Sequence, residues 1–170
     1  DHAGARGKLI ALLQRGCNVA LVSDAGTPLI SDPGYKLVRE AQEAGVKVVP
    51  IPGPSALTAA LAISGVPTDR FTFYGFVPTK EAAKREKLRE AAARLETSVF
   101  YESPKRILDT LAVLAEIDDS REIAIARELT KIYEEVSRGS ISTIRAQYAA
   151  KEAIKGEIVL LITGKEKTAS

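Results

Sequence analysis

Two loops rich in glycine and proline hold the residue types best suited to gripping a small charged molecule. Residues 23–34 read SDAGTPLISDPG and follow a short apolar run at 19–22. Such a run is expected of a buried parallel strand, which would place the loop at that strand's carboxyl end, where open α/β sheets bind ligands. Gly26 would let the backbone come close to a ligand, and successive N–H groups in such a turn form an anion-binding nest. A carboxylate would suit that nest, and Asp24 could accept from an ammonium group or a backbone N–H. The same residue types build any tight turn, but twelve residues is long for a βα connection. Residues 51–56, IPGPSA, again stand between a strand and a helix. The helix start would present free N–H groups near Ser55 and Ala56, with room for a flat ring. A rigid cap with Ser55 as N-cap is the plain alternative. Neither loop carries the dinucleotide fingerprint or the P-loop.

Three charged segments could act on a substrate. Residues 101–106, YESPKR, end another strand. Glu102 could serve as a base or hold a ribose hydroxyl, while Lys105 and Arg106 could meet phosphate; Ser103-Pro104 could equally start a helix beside an ion pair. Residues 127–131, RELTK, follow the apolar run 123–126 and read either as a site segment or as an ion-pair network. Lys80, Lys84, Arg85, Lys87 and Arg89 crowd one helix with Glu81, Glu86 and Glu90 among them. That spacing suits a solvated face; an RNA-backbone contact is the sharper reading.

Composition limits what these groups can do. The chain has 170 residues and a net charge of +2, so any basic patch is local. With one cysteine, Cys17, and one histidine, His2, no internal disulfide forms and a His/Cys metal site is not expected. No apolar run reaches the roughly 18 residues of a membrane span, and cytoplasmic location is the expectation. There is no methionine, which we read as a sign of trimming.

The elements that must position these groups alternate along the chain. Leu9, Ile10, Leu12 and Leu13 form a helical face stopped by Gly16. Strands are expected at 19–22 and 46–51, with helices at 35–44 and 55–64 stopped by Gly45 and Gly65. Two strands do not make a stable sheet, so further strands are expected upstream. Residues 66–70 read as a linker. Beyond it, strands are expected at 71–77, 98–101, 123–126 and 157–163, with 134–138 extended. Helices are expected at 79–95, 105–115 and 141–150. The expected fold is α/β: residues 1–66 the remainder of one α/β domain, residues 67–170 a second with a mixed sheet.

The strings VALVSDAGTPLISDPG, IPGPSA, FTFYGFVP, FYESPKR, ARELTK, EEVSRG and GEIVLLITG, in that order from Val19 to Gly164, resemble one family closely. It is the ribosomal small-subunit RNA cytidine 2′-O-ribose methyltransferases, within the tetrapyrrole (corrin/porphyrin) methylase superfamily. The long first string is highly specific; RELTK alone would be weak. The family's opening strand and its Pro-Ile-Gly-Asn-Leu-type loop have no counterpart here, so the first domain is expected to be incomplete.

The resemblance implies two α/β domains with S-adenosylmethionine bound in a cleft between them and no metal. It places Asp24, Ala25, Gly26 and Thr27 at the methionine end and Ser55 and Ala56 beside the cofactor. Tyr101, Ala126 and Arg127 would approach the adenosine, with Tyr74 and Gly75 bordering the pocket. The implied partner is 16S ribosomal RNA within the small subunit, in the decoding region, and the implied assembly is a homodimer. Glu102 and Lys131 are candidates for positioning the ribose hydroxyl. Lys80, Lys84, Arg85, Lys105 and Arg106 are candidates for the RNA backbone. The alternatives are a tetrapyrrole or precorrin methylase of the same superfamily, and a non-catalytic RNA-binding or dimerisation fragment. The absence of tryptophan and the scarcity of aromatics disfavour the broad apolar trough a macrocycle needs. The truncated chain is expected to be inactive.

Overall fold

A computed structural model describes residues 3–165; His2 lies outside them. The chain forms two compact units, Asp1–Ser55 and Ala56–Ser170.

The first unit contains α1 (Ala3–Gln14) and α2 (Tyr35–Glu43). Arg6 Nε donates to Glu40 Oε1 across them at 2.9 Å. Both helices stop where the sequence predicts. The amide of Val46 reaches back to the Ala41 carbonyl at 2.9 Å, and that of Cys17 to Leu12 at 3.1 Å. Each bond spans a glycine in the left-handed region, Gly45 and Gly16, the usual helix-ending motif.

The two strands expected here are not formed. Residues 19–22 and 46–51 have no ladder partner, and Val22 and Ile51 are 81% and 83% exposed. The reason is cooperative. A strand exists only through its neighbours, and two apolar segments without a third do not hold a sheet.

The second unit is a five-stranded mixed sheet, as expected. Its elements in chain order are α3 (Ala56–Ser64), β1 (Phe71–Phe76), α4 (Glu81–Ala93), β2 (Thr97–Glu102), α5 (Ile107–Asp118), β3 (Glu122–Arg127), β4 (Glu135–Ser140), α6 (Ile141–Ala149) and β5 (Ile158–Ile162). The order across the sheet is β1-β2-β5-β3-β4. Strands β1 and β2 run parallel, and β5 lies antiparallel between β2 and β3.

Alternation along each strand divides the core in two. Phe100, Ile123, Ile125 and Leu160 join Leu88, Leu111, Leu114, Ile144 and Tyr148 on one face. Val99, Ala124, Ala126, Val159 and Leu161 join Ala60 and Leu61 of α3 on the other. With both faces covered, β3 and β5 need apolar residues at successive positions, hence IAIA and IVLLI.

Candidate active site

In the first unit the two glycine- and proline-rich loops are tied together. Thr27 Oγ1 donates to the Pro54 carbonyl at 2.9 Å, and Ser23 Oγ to the Ala25 carbonyl at 2.9 Å. Asp24, Ala25, Gly26 and Thr27 are exposed, while Ser55 is half-buried. Gly26 has φ +76°, and nothing lies within 4 Å of where its Cβ would stand, leaving room for a ligand against the backbone. Leu29 and Ser31 also adopt positive φ, 73° and 57°, an uncommon conformation for residues with side chains.

In the second unit the topology gathers several predicted residues at one edge of the sheet. The carboxyl ends of β1, β2 and β3 lie there, with the starts of β4 and β5. Tyr101 pairs with Val159 and Arg127 with both Ile158 and Glu135. The Tyr101 ring packs edge-on between Phe73 and Phe76, at 4.9 and 5.5 Å. Burial raises its pKa, the Leu57 backbone beside the hydroxyl acting the other way. Tyr101 thereby links the end of β2 to the first turn of α3, next to Ala56.

The two candidates for handling the ribose hydroxyl sit in different surroundings. Glu102 is 2% exposed. Its Oε1 accepts from the Ser103 amide at 2.6 Å and pairs with Arg106 Nη2 at 2.8 Å; its Oε2 accepts from Thr110 Oγ1 at 2.6 Å. Three donors and burial make Glu102 the anchor that fixes the 103–106 turn onto α5. Lys131 is 47% exposed, its Nζ at 2.9 Å from both Glu128 Oε1 and Glu157 Oε2. Hydrogen bonds to Glu128 and then Glu157 raise its pKa, so it is a fixed ammonium that donates rather than a base.

The other predicted residues are distributed as follows. Ala126 is fully buried on the α3 face. Arg127 is clamped, with Nε and Nη2 at 3.0 and 2.7 Å from Glu135 Oε2 and Nη1 on the Lys155 carbonyl at 3.0 Å. Tyr74 belongs to the opposite face from Tyr101. It stacks on Phe100 at 4.6 Å, and Arg94 Nε donates to its hydroxyl at 2.5 Å. Gly75, beside it, has φ 73° where the β1–β2 register shifts. Among the candidates for the RNA backbone, Lys84 pairs with Glu81 at 2.7 Å. Arg85 bridges Glu81 and Glu116, and Arg106 holds Glu102 and, at 3.1 Å, the Val77 carbonyl. Lys80 and Lys105 are exposed.

Sequence reasoning did not single out Glu128. It has φ 51° and Thr130 φ 66°. Among the described residues, side chains with positive φ occur only in the 23–34 and 127–131 loops, and such strain clusters at functional sites. The Glu128 carboxylate accepts from Lys131 and, at 2.9 Å, from the Glu157 amide. Both bonds lower its pKa, that from Lys131 most. The carboxylate lies where a Cβ on Gly156 would stand, so the β5 approach needs glycine there. RELTK was visible as a string, but its backbone strain was not. A groove of about 880 Å³ lies at the far edge of the sheet. Two of its arginines, Arg121 and Arg138, are turned onto Asp118 and Glu122, so it does not present a cationic cradle.

A ribosomal RNA small subunit methyltransferase I from Xylella fastidiosa is 52% identical over 159 residues, covering 92% of this chain and 58% of that protein. One from Escherichia coli O157:H7 is 48% identical over 158 residues, covering 92% and 55%. The chain thus spans little more than half the length of these curated relatives. Among solved structures, the methyltransferase CobJ superposes with a TM-score of 0.67 at 21% identity, over 96% of this chain and 72% of that one. The cobalt precorrin-4 methyltransferase CbiF gives 0.65 at 14% identity, over 96% and 71%; these two speak to the fold alone. Residues 2–145 match the model of the Tetrapyrrole (Corrin/Porphyrin) Methylases, and with both loops and the mixed sheet in place the chain belongs to that family.

Proposed function

We propose that this chain is part of an S-adenosylmethionine-dependent methyltransferase whose acceptor is a cytidine ribose 2′-hydroxyl in 16S ribosomal RNA. The observation that carries the reading is the near-50% identity to ribosomal RNA small subunit methyltransferases I from several bacteria, running through both strained loops. Its partners would be the small ribosomal subunit and a second copy of the chain, in the cytoplasm.

The chemistry of the loop residues supports this cofactor. The open backbone at Gly26, with Asp24, Ala25 and Thr27, suits a methionine carboxylate and ammonium. Ser55 and Ala56 stand at a helix start. Tyr101 and Arg127 are proposed for the adenosine, with Gly75 at its border; Tyr74, on the opposite face of the sheet, and the fully buried Ala126 serve packing. When bound, the sulfonium supplies an electrophilic methyl group. The chain's part is then to orient the hydroxyl, a weak nucleophile at neutral pH. Lys131, held cationic between Glu128 and Glu157, donates to the ribose oxygen. Glu102 acts through the turn it anchors, keeping Arg106 in place. Glu102→Gln in the full-length enzyme is expected to slow transfer while cofactor binding stays as it was.

The test is radiolabelled methyl transfer to unmodified small subunits, with this chain and with one of the relatives' full length. Label in an alkali-resistant dinucleotide containing cytidine, from the longer protein only, is the expected result. Label on a base would overturn the ribose assignment. No label in the RNA from either protein would overturn the reading.

A further inference from the structure

The connection between β3 and β4 holds two large apolar side chains away from the protein. Ile132 is 93% exposed and Tyr133 74%, and the Tyr133 ring and hydroxyl have no partner among the described residues. Hairpin tips usually carry glycine, asparagine or aspartate. This tip is also held firmly. The Lys131 amide donates to the Glu128 carbonyl at 3.0 Å and the Glu134 amide to the Lys131 carbonyl at 3.1 Å. The Thr130 amide donates to Glu134 Oε2 at 2.6 Å, and Lys131 spans Glu128 and Glu157. A ring presented without packing, on a preorganised loop, is set up for a contact outside the chain.

We infer that Tyr133, extended by Ile132, is a stacking platform for an unpaired base of the substrate RNA beside the target ribose. The inference rests on the RNA reading above. Sequence-specific RNA recognition targets single-stranded nucleotides whose bases are splayed out, and proteins hold such nucleotides by stacking the bases on aromatic rings. The charges around the tip point to a base face rather than a phosphate. Lys131, Arg127 and Lys151 are already paired with Glu128, Glu157 and Glu135, leaving little net attraction for an anion. Two side chains at a loop tip also form too small a patch for a stable protein interface.

Fluorescence polarisation with a short unstructured cytidine-rich oligoribonucleotide tests this on the chain as it stands. Tyr133→Ala is expected to weaken binding by about 5- to 160-fold, the range of a lost base–aromatic stack, while Tyr133→Phe stays within about twofold because the π-face remains. The ratio of wild-type to Tyr133→Ala affinity is expected to be the same at about 50 and about 200 mM salt, since no phosphate contact is removed. Thermal midpoint and S-adenosylmethionine calorimetry are expected to be unchanged. Equal RNA binding by wild type and Tyr133→Ala overturns the inference alone. So does a loss of self-association in Tyr133→Ala with RNA binding intact, which would assign the tip to a second copy of the chain. No RNA binding by the wild-type chain counts against the inference and the RNA reading together.

Discussion

Glu102, Tyr148 and Gly156 show how much a single side chain is constrained here. Removing a buried charge's partners is costly because a bare ion is left in low dielectric, and Glu102 has three donors around a side chain with no exposure. Glu102→Ala is expected to cost about 3 kcal/mol in urea unfolding. Glu102→Gln should cost less, since the amide oxygen can still accept. Tyr148 is the converse. Its hydroxyl is buried with no partner at hydrogen-bond geometry; burial, with the Glu135 charge, pushes its pKa up to about 12, the nearby Ser137 and Arg127 acting the other way. Tyr148→Phe should therefore leave stability unchanged or raise it by about 1 kcal/mol; a loss of that size in calorimetric unfolding would show that the hydroxyl is bonded. At Gly156, φ is +92° and an added Cβ would overlap the Glu128 carboxylate. Gly156→Ala is expected to lower stability by about 2 kcal/mol and to release the clamp on Lys131, detectable as a lysine pKa closer to its ordinary value. None of these three roles is legible in the sequence. A glutamate before Ser-Pro reads as a base, a ribose contact or half of an ion pair until the fold shows that it points inward.

The elements are better matched to their sequence. Helix α6 begins at Ser140, whose Oγ accepts from the Thr143 amide at 3.2 Å, and Ser140→Ala should cost about 1 kcal/mol. The β3–β4 hairpin is fastened by Glu135, which takes Arg127 and, at 2.9 Å, Lys151. Partial burial pushes the Glu135 pKa up, but hydrogen bonds and charge from Lys151 and Arg127 outweigh it and leave it below the ordinary glutamate value of 4.5. A carboxylate depressed in the folded state contributes stability above its unfolded pKa and loses it as pH falls through the folded one. The stability gap between wild type and Glu135→Gln should thus narrow from about pH 6 towards about pH 3, with denaturation followed across that range. The apolar runs of β2, β3 and β5 and the helical period of α4 to α6 announced these elements because both signals are local.

At the scale of the whole molecule the two units differ in how much they bury. Among the described residues of the first unit only Ala41 is buried, whereas β5 is buried at every position. Hydrogen exchange should therefore be fast at 19–22 and 47–51, and slow along β2, β3 and β5; protection at 19–22 matching β5 would contradict the unpaired state of that segment. The strands expected at 19–22 and 46–51 carry as strong an apolar signal as β3, yet they differ in outcome. Strand β3 has β4 and β5 to bond, and those segments have no neighbours.

The sequence by itself determined the family, the α/β class, the mixed sheet of the second unit and the two loops that carry the motifs, because motif strings and hydrophobic periods are properties of neighbouring residues. Only the tertiary structure decided that β5 inserts between β2 and β3, that Tyr101 and Tyr74 face opposite sides of the sheet, and that Glu102 is an anchor while Lys131 is a clamped ammonium. Strand order, burial and ion pairing depend on residues far apart in the chain, and a carboxylate's role follows from the donors that the fold brings to it.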